Sequence, residues 1–290
     1  MTKPKKYFLT YGTSEFNIQK KHLCNLAKKL DFFDETIALS PNDLDVKFKN
    51  KYNKILSQST GGGFYIWKYK VIKDSLSQLK KDDILFYLDA GSSINYQAKN
   101  RFNYYLEMLL SNNKTHLAFK QHHIKEKFWT HKELFKYFNM NVEGKEGESG
   151  QFMGGVQMYK NSSNSIDYLN SFEKVIDDDA LLITDYYAQN EQIEGFKRHS
   201  WDQSIFSLLN KIYGCEEIDA YETYFKENPQ EQYSYPILTV RKRKYKFLNK
   251  LYFFLTYPYS INKTIFFKEK PSLIEKVIYK VSKKLYKSIY

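Results

Sequence analysis

Two carboxylates and one lysine stand out in this 290-residue chain because of the residues around them. Asp89 closes the stretch KDDILFYLDAGSSIN, in which five apolar residues, Ile84 to Leu88, end abruptly at Asp89-Ala90-Gly91. A short unbroken apolar run reads as a strand buried on both faces. An acidic residue before Gly at its C-terminal end falls where open α/β sheets place ligand sites, although Asp before Gly is also ordinary turn chemistry. Asp202 sits in the first turn of a helix opened by Arg198-His199-Ser200-Trp201-Asp202-Gln203, with Ser200 and Gln203 at capping-box spacing. Compensation of the helix dipole accounts for a carboxylate there. A functional carboxylate would sit there equally well, with His199 just outside the cap. Lys68 follows Gly61-Gly62-Gly63-Phe64-Tyr65-Ile66-Trp67. The glycines read either as a flexible connection or as a loop that lets backbone approach a ligand, with Trp67 and Lys68 beside it. Packing of Trp67 with a Lys68 that snorkels to solvent is the plainer alternative.

These residues need elements to hold them. Tyr7–Tyr11 reads as a first strand, followed by helical spacing from Ile18 to Leu30 and a second strand over Thr36–Leu39, the βαβ rhythm of a parallel sheet. No G-x-G-x-x-G follows the first strand, so the dinucleotide fingerprint is missing. The spacing predicts helices over 71–79, 97–110, 131–138, 165–175 and 200–212, the last stopped by Gly214, and a strand over 115–120. Residues 141–150, NVEGKEGESG, lack an apolar period and read as a mobile loop beside a site. In QFMGGVQMY (151–159) the paired Gly154 and Gly155 predict a bulge or a close approach to the strand. His122, His123 and His131 have no paired Cys/His spacing and read as surface or hydrogen-bonded residues. Cys24 and Cys215 form no disulfide framework and read as reduced thiols of a cytosolic protein. Met1 to Lys6 carries no signal-peptide hydrophobic region, and no apolar run is long enough to span a bilayer.

Charge divides the chain. Residues 241–290 hold 14 Lys and Arg against Glu269 and Glu275, which equals the whole chain's net charge of +12. Residues 1–240 are therefore neutral overall, which argues against a protein that wraps nucleic acid over its surface and favours a local anionic partner for the tail. Arg241-Lys242-Arg243-Lys244 is a compact basic cluster. From Ser272, the apolar residues Leu273, Ile274, Val277, Ile278, Val281, Leu285 and Ile289 recur at near four-residue spacing among lysines. A basic amphipathic helix over 272–290 suits an anionic membrane surface, and packing onto the body is the alternative.

Five stretches in this order, TYG, GGGFYIWKYKVI, YLDAG, QFMGGVQMYKNS and RHSWDQSIFSLL, resemble bacterial glycosyltransferases of the GT-A type that build surface polysaccharides and lipooligosaccharides. The resemblance covers roughly residues 7–245. It implies an α/β fold with a GT-A-like, mostly parallel central sheet flanked by helices. That catalytic domain would span 1–240 and a basic C-terminal segment 241–290. It implies transfer of a sugar from a nucleotide sugar, expected to be UDP-linked, to a hydroxyl of a glycan or lipid-linked glycan, on the inner face of the cytoplasmic membrane. Thr10, Tyr11 and Gly12 would line the nucleobase and ribose, and Gln151, Gly154 and Gly155 the donor sugar. Trp67, Lys68, Ser92 and His199 would border the donor, and Asp202 would be the base or orienting carboxylate. Asp89 matches the first position of an Asp-x-Asp motif whose second position here is Gly91, which weakens the case for Mn²⁺ or Mg²⁺ held by Asp89. Arg241, Arg243 and Lys68 would then share the charge of the leaving diphosphate. The rival readings are another nucleotide-dependent α/β enzyme, such as a nucleotidyltransferase, and a non-enzymatic protein that binds membrane or nucleic acid through its tail.

Overall fold

The computed structural model describes residues 3–95, 98–111, 114–224, 231 and 234–239, with isolated positions 273, 277, 280, 281 and 284. Eight strands are present among them: β1 (Lys6–Tyr11), β2 (Glu35–Leu39), β3 (Ile84–Leu88), β4 (Ser93–Ile94), β5 (His116–Lys125), β6 (Gly150–Lys160), β7 (Glu216–Asp219) and β8 (Ile237–Leu238). Six of them form one sheet in the order β2-β1-β3-β6-β5-β7, and β4 pairs with β8 in a small second sheet. β1 runs parallel to β2 and β3, β5 runs parallel to β7, and β6 alone is antiparallel to both of its neighbours, β3 and β5. The expected mostly parallel α/β sheet is therefore present, with its C-terminal strand ends gathered on one edge. Ligand sites of open α/β sheets form outside that edge.

Side-chain alternation along the strands divides the core in two. Leu9, Tyr11, Leu85, Tyr87 and Tyr159 pack beneath the Trp67–Ser77, Ser163–Asp178 and Asp202–Tyr213 helices. Phe8, Phe86, Leu88, Leu117 and Met158 pack on the opposite face, beneath the Asn17–Lys29 and Lys99–Ser111 helices. Tyr87 faces the first of these layers, and period two sends Asp89 to the same side. All five residues of β3 are buried, as the unbroken apolar run predicts.

Two expectations change. Residues 141–150 are not without structure, because Lys145–Glu148 forms a helical turn with Gly147 packed under the Val142 carbonyl. The Ser200/Gln203 capping box does not form. The helix begins at Asp202 with Trp201 as its N-cap residue and no side-chain cap. The Gln203 side chain instead accepts from the Gly154 N–H at 3.1 Å. β6 pairs in regular register with β3, but its pairing with β5 shifts register between Gln157 and Phe152, an irregularity that spans Gly154 and Gly155 as expected. The glycines also meet the other expectation, a close approach, here by the side chains of Asp89 and Asp202. Cys24 and Cys215 are free thiols. Among the described residues no helix is long and apolar enough to cross a membrane.

Candidate functional site

At the C-terminal edge of the sheet, one ammonium gathers three remote parts of the chain. Lys68, the second residue of its helix, is 2% exposed. Its Nζ lies 2.7 Å from Asp202 Oδ2, 3.3 Å from Asp89 Oδ1 and 3.2 Å from the Gly154 carbonyl oxygen. Three oxygens surround the ammonium, and the Gly154 carbonyl accepts a hydrogen bond from it. The Asp202 contact is a charge pair, since Oδ2 finds no aligned hydrogen bond. A lysine at a helix N-terminus opposes the helix dipole, whereas Asp202 at the start of its own helix agrees with it. The lysine's position is thus explained by its carboxylate partners and not by its own helix. Snorkelling does not occur.

Asp89 is held at the end of β3 by its backbone N–H, which donates to the Gly155 carbonyl at 2.9 Å, and by Tyr87 Oη, which donates to Oδ1 at 2.6 Å. Its side chain keeps 39% of its surface exposed, against 5% for Asp202. Oδ2 faces Gly155, where an added Cβ would come within 2.6 Å of it. A Cβ at Gly154 would meet Asp202 Oδ2 at 3.0 Å. The paired glycines are therefore the space into which both carboxylates fit.

The charge states follow from this geometry. Burial lowers the Lys68 pKa, but Asp202 and Asp89 together outweigh it and hold the ammonium above its ordinary range. Burial pushes Asp202 up to about 6, with Asp89 adding to the shift and Lys68 opposing it. The lysine is charged throughout, because two carboxylates face it. With both acids ionised, the cluster carries a net charge of −1.

Around it lie residues in strained backbone. Gly61, Gly62, Gly63, Phe64 and Tyr65 all have positive φ, and so does Trp201 at +53°. Bulky residues in that region cost of order 1–3 kcal/mol each and persist where the surroundings impose them, commonly at functional sites. Tyr65 and Trp201 rings are 6.0 Å apart, Phe64 lies 6.2 Å from Trp201, and the Trp201 indole N–H donates to Asp185 at 2.9 Å. Lys68 Nζ is 4.9 Å from the Tyr65 ring centre. Trp67 stacks on Tyr11 at 3.9 Å and donates to the Gly61 carbonyl at 3.0 Å. Behind the glycines, Gln203 donates to Gln151 at 2.6 Å, and Gln151 donates to Glu126 at 2.8 Å. Glu126 is fully buried and paired with Lys211.

The structure thus brings together Tyr11, Trp67, Lys68, Asp89, Gly154, Gly155 and Asp202. Gly12 follows β1 at the same edge, and Thr10 is fully buried with an Oγ1 that finds no partner among the described residues. Ser92 is buried and Gly91 half-buried in the turn after Asp89. Gln151 is fully buried and supports the site from behind. His199 does not reach it: the ring is fully buried and packs, tilted, on His131 at 4.1 Å, and His131 itself caps the Lys132–Tyr137 helix. Burial keeps both histidines below their ordinary pKa and hence neutral near pH 7. Arg241 and Arg243 lie outside the described residues. Sequence reasoning missed Tyr87, Tyr65, Trp201 and Gln203. Tyr87 was accessible to it, two residues before Asp89 on the same strand face.

No family model matches the chain, and no curated protein matches it. Solved structures do resemble it. A glycosyltransferase involved in glycosylation of the major capsid of PBCV-1 is 12% identical, with 83% of this chain and 96% of that one covered and a TM-score of 0.47. Mouse xyloside xylosyltransferase 1 is 12% identical, with 74% and 84% covered and a TM-score of 0.40. The galactosyltransferase LgtC, in complex with donor and acceptor sugar analogues, is 11% identical, with 96% and 95% covered and a TM-score of 0.37. The case for an activity accordingly rests on this chain's own residues.

The raised Asp202 pKa has a consequence for stability. The fold favours the protonated acid, so its contribution is complete below the ordinary 3.8 and is lost as pH rises through about 6. Melting temperature measured from pH 4 to 7 should show this loss in the wild type, and Asp202→Asn should flatten it.

Proposed function

We propose that the chain is a glycosyltransferase that moves a sugar from a nucleotide sugar, UDP-linked by preference, to a hydroxyl of a glycan or lipid-linked glycan in bacterial surface polysaccharide synthesis. One observation carries the reading: the five sequence stretches of the resemblance are joined by direct contacts at one sheet edge. Tyr11 stacks on Trp67, the neighbouring Lys68 meets Asp89, the Gly154 carbonyl and Asp202, and Gly155 accommodates Asp89.

In such a transfer the bond from the anomeric carbon to the diphosphate oxygen breaks, and the electron pair leaves with the nucleoside diphosphate. The acceptor oxygen bonds to that carbon, and its proton passes to the departing diphosphate. Asp89 is the carboxylate placed to touch the donor, because Oδ1 is fixed by Tyr87 and Lys68 while the side chain stays partly exposed. Its Oδ2 would accept from a ribose or sugar hydroxyl. Asp202 is too enclosed for the base role that the sequence suggested. We assign it the positioning of Lys68 and, through Gly154, of the donor floor. Half-buried Tyr65 and Trp201 offer apolar faces beside the cluster, as small-molecule sites commonly do. Lys68 is 2% exposed and enclosed by three oxygens, which leaves it no open face for the leaving diphosphate. The charge developing there needs another cation, and Arg241 and Arg243 are the residues we assign to it. They follow β8, which pairs with β4 just beyond Asp89.

Incubation with a panel of nucleotide sugars and a glycolipid acceptor should release nucleoside diphosphate and yield a glycosylated product. Asp202→Asn should lower kcat by about 100-fold through misplacement of the site and remove an acid limb near pH 6 from the wild-type profile. Release of pyrophosphate instead would identify a nucleotidyltransferase.

We also propose that the tail holds the enzyme at the inner face of the cytoplasmic membrane. Leu273, Val277 and Val281 are helical and 81%, 54% and 54% exposed. Lys280 and Lys284 beside them are also exposed. Apolar residues at four-residue spacing with basic neighbours suit an anionic lipid surface. Replacing Leu273, Val277 and Val281 with Asp should abolish sedimentation with anionic vesicles, and retained sedimentation would place the contact elsewhere.

A further inference from the structure

We infer that Lys68 is a built-in cation standing where a divalent metal would otherwise bridge the two carboxylates, so that sugar transfer at this site proceeds without Mn²⁺ or Mg²⁺. The chemistry rests on the glycosyl-transfer reading; the binding test below does not. Mg²⁺ requires six oxygen ligands at about 2.0–2.1 Å, and sites that bind it usually supply one or two free carboxylates. Here Asp89 Oδ1, Asp202 Oδ2 and the Gly154 carbonyl all turn toward one point, and Lys68 Nζ occupies it at 3.3, 2.7 and 3.2 Å. The remaining oxygen of Asp89 stands alone: position 91, where a second acid would help it, is glycine. Among the described residues no group of three His, Cys, Asp or Glu side chains gathers to hold a metal ion. The donor set therefore fits an ammonium and does not fit a divalent ion beside it.

The ammonium does part of what such an ion would do. It offsets the buried charge of Asp202, pairs with the partly exposed Asp89 and braces the Gly154 carbonyl at the strand that floors the site. A lysine differs from a metal in having no open coordination position, so it cannot also bind the diphosphate. Removing its side chain should leave two carboxylates and a carbonyl around a vacated space, a set of hard oxygen ligands that a divalent ion would accept.

The test titrates MnCl₂ into the full-length protein and follows free Mn²⁺ by electron paramagnetic resonance, alongside melting with and without the ion. The wild type should bind no Mn²⁺ at micromolar concentration and melt unchanged. Lys68→Ala should bind one equivalent and regain stability with Mn²⁺, whereas Lys68→Met, which refills the space with apolar atoms, should do neither. One equivalent bound by the wild type and lost in Asp89→Asn overturns the inference, and that comparison stands even if the Lys68 variants fail to fold. Turnover in EDTA should match turnover in Mn²⁺, and abolition by EDTA likewise overturns it. Failure to turn over any nucleotide sugar would count against the glycosyl-transfer reading instead, with the Mn²⁺ binding result unaffected.

Discussion

A lysine ammonium buried between two carboxylates is the constraint on which the rest of this site depends. Taking charges out of water costs several kcal/mol per ion, and removing one partner of a buried pair costs about 3–5 kcal/mol because the other is left uncompensated. Lys68, Asp89 and Asp202 come from a helix start, a strand end and a second helix start. Each is useful only if the other two arrive. Fixing that point fixes the relative placement of β3, β6 and the helices beginning at Trp67 and Asp202. Glycine at 154 and 155 follows from the same demand, since any side chain there would displace the carboxylates.

The strain around the cluster is best understood as a product of that fixation. Phe64, Tyr65 and Trp201 adopt backbone conformations that none of them favours, and all three lie where the chain turns sharply into a helix that presents Lys68 or Asp202. Buried polar groups behind the glycines are paired in series, from Gly154 through Gln203 and Gln151 to Glu126 and Lys211. Fully partnered networks of this kind rigidify what they support. The result is a floor set before any ligand arrives, which is what preorganised electrostatic catalysis requires.

Much of this was legible in the sequence. The apolar run before Asp89, the βαβ opening and the 3.6-residue spacing of the helices each reflect a local demand for burial, so pattern alone located them. The purpose of Gly154 and Gly155 was half visible: a close approach was expected, but not that side chains make it. Lys68 was less legible, because a lysine after a tryptophan at a helix start gives no sign that two acids remote in the chain will enclose it. The capping-box pattern at Ser200 and Gln203 misled for a related reason, since the Gln203 side chain serves the Gly154 N–H instead of its own helix. His199 looked like a ligand-facing residue beside Asp202. Trp201, at positive φ, lies between them, and the His199 imidazole packs against His131.

The proposed function requires that Asp89, braced by Lys68 and Tyr87, receive the donor nucleotide sugar. Calorimetric titration of nucleotide sugars into wild type and Asp89→Asn in EDTA tests it most directly. One nucleotide sugar should bind the wild type at one to one. The variant should bind it roughly 10- to 100-fold more weakly, in keeping with loss of a hydrogen bond to a charged acceptor worth about 1.5–3 kcal/mol. Equal affinity for the two proteins, or binding of no nucleotide sugar at all, would contradict the claim.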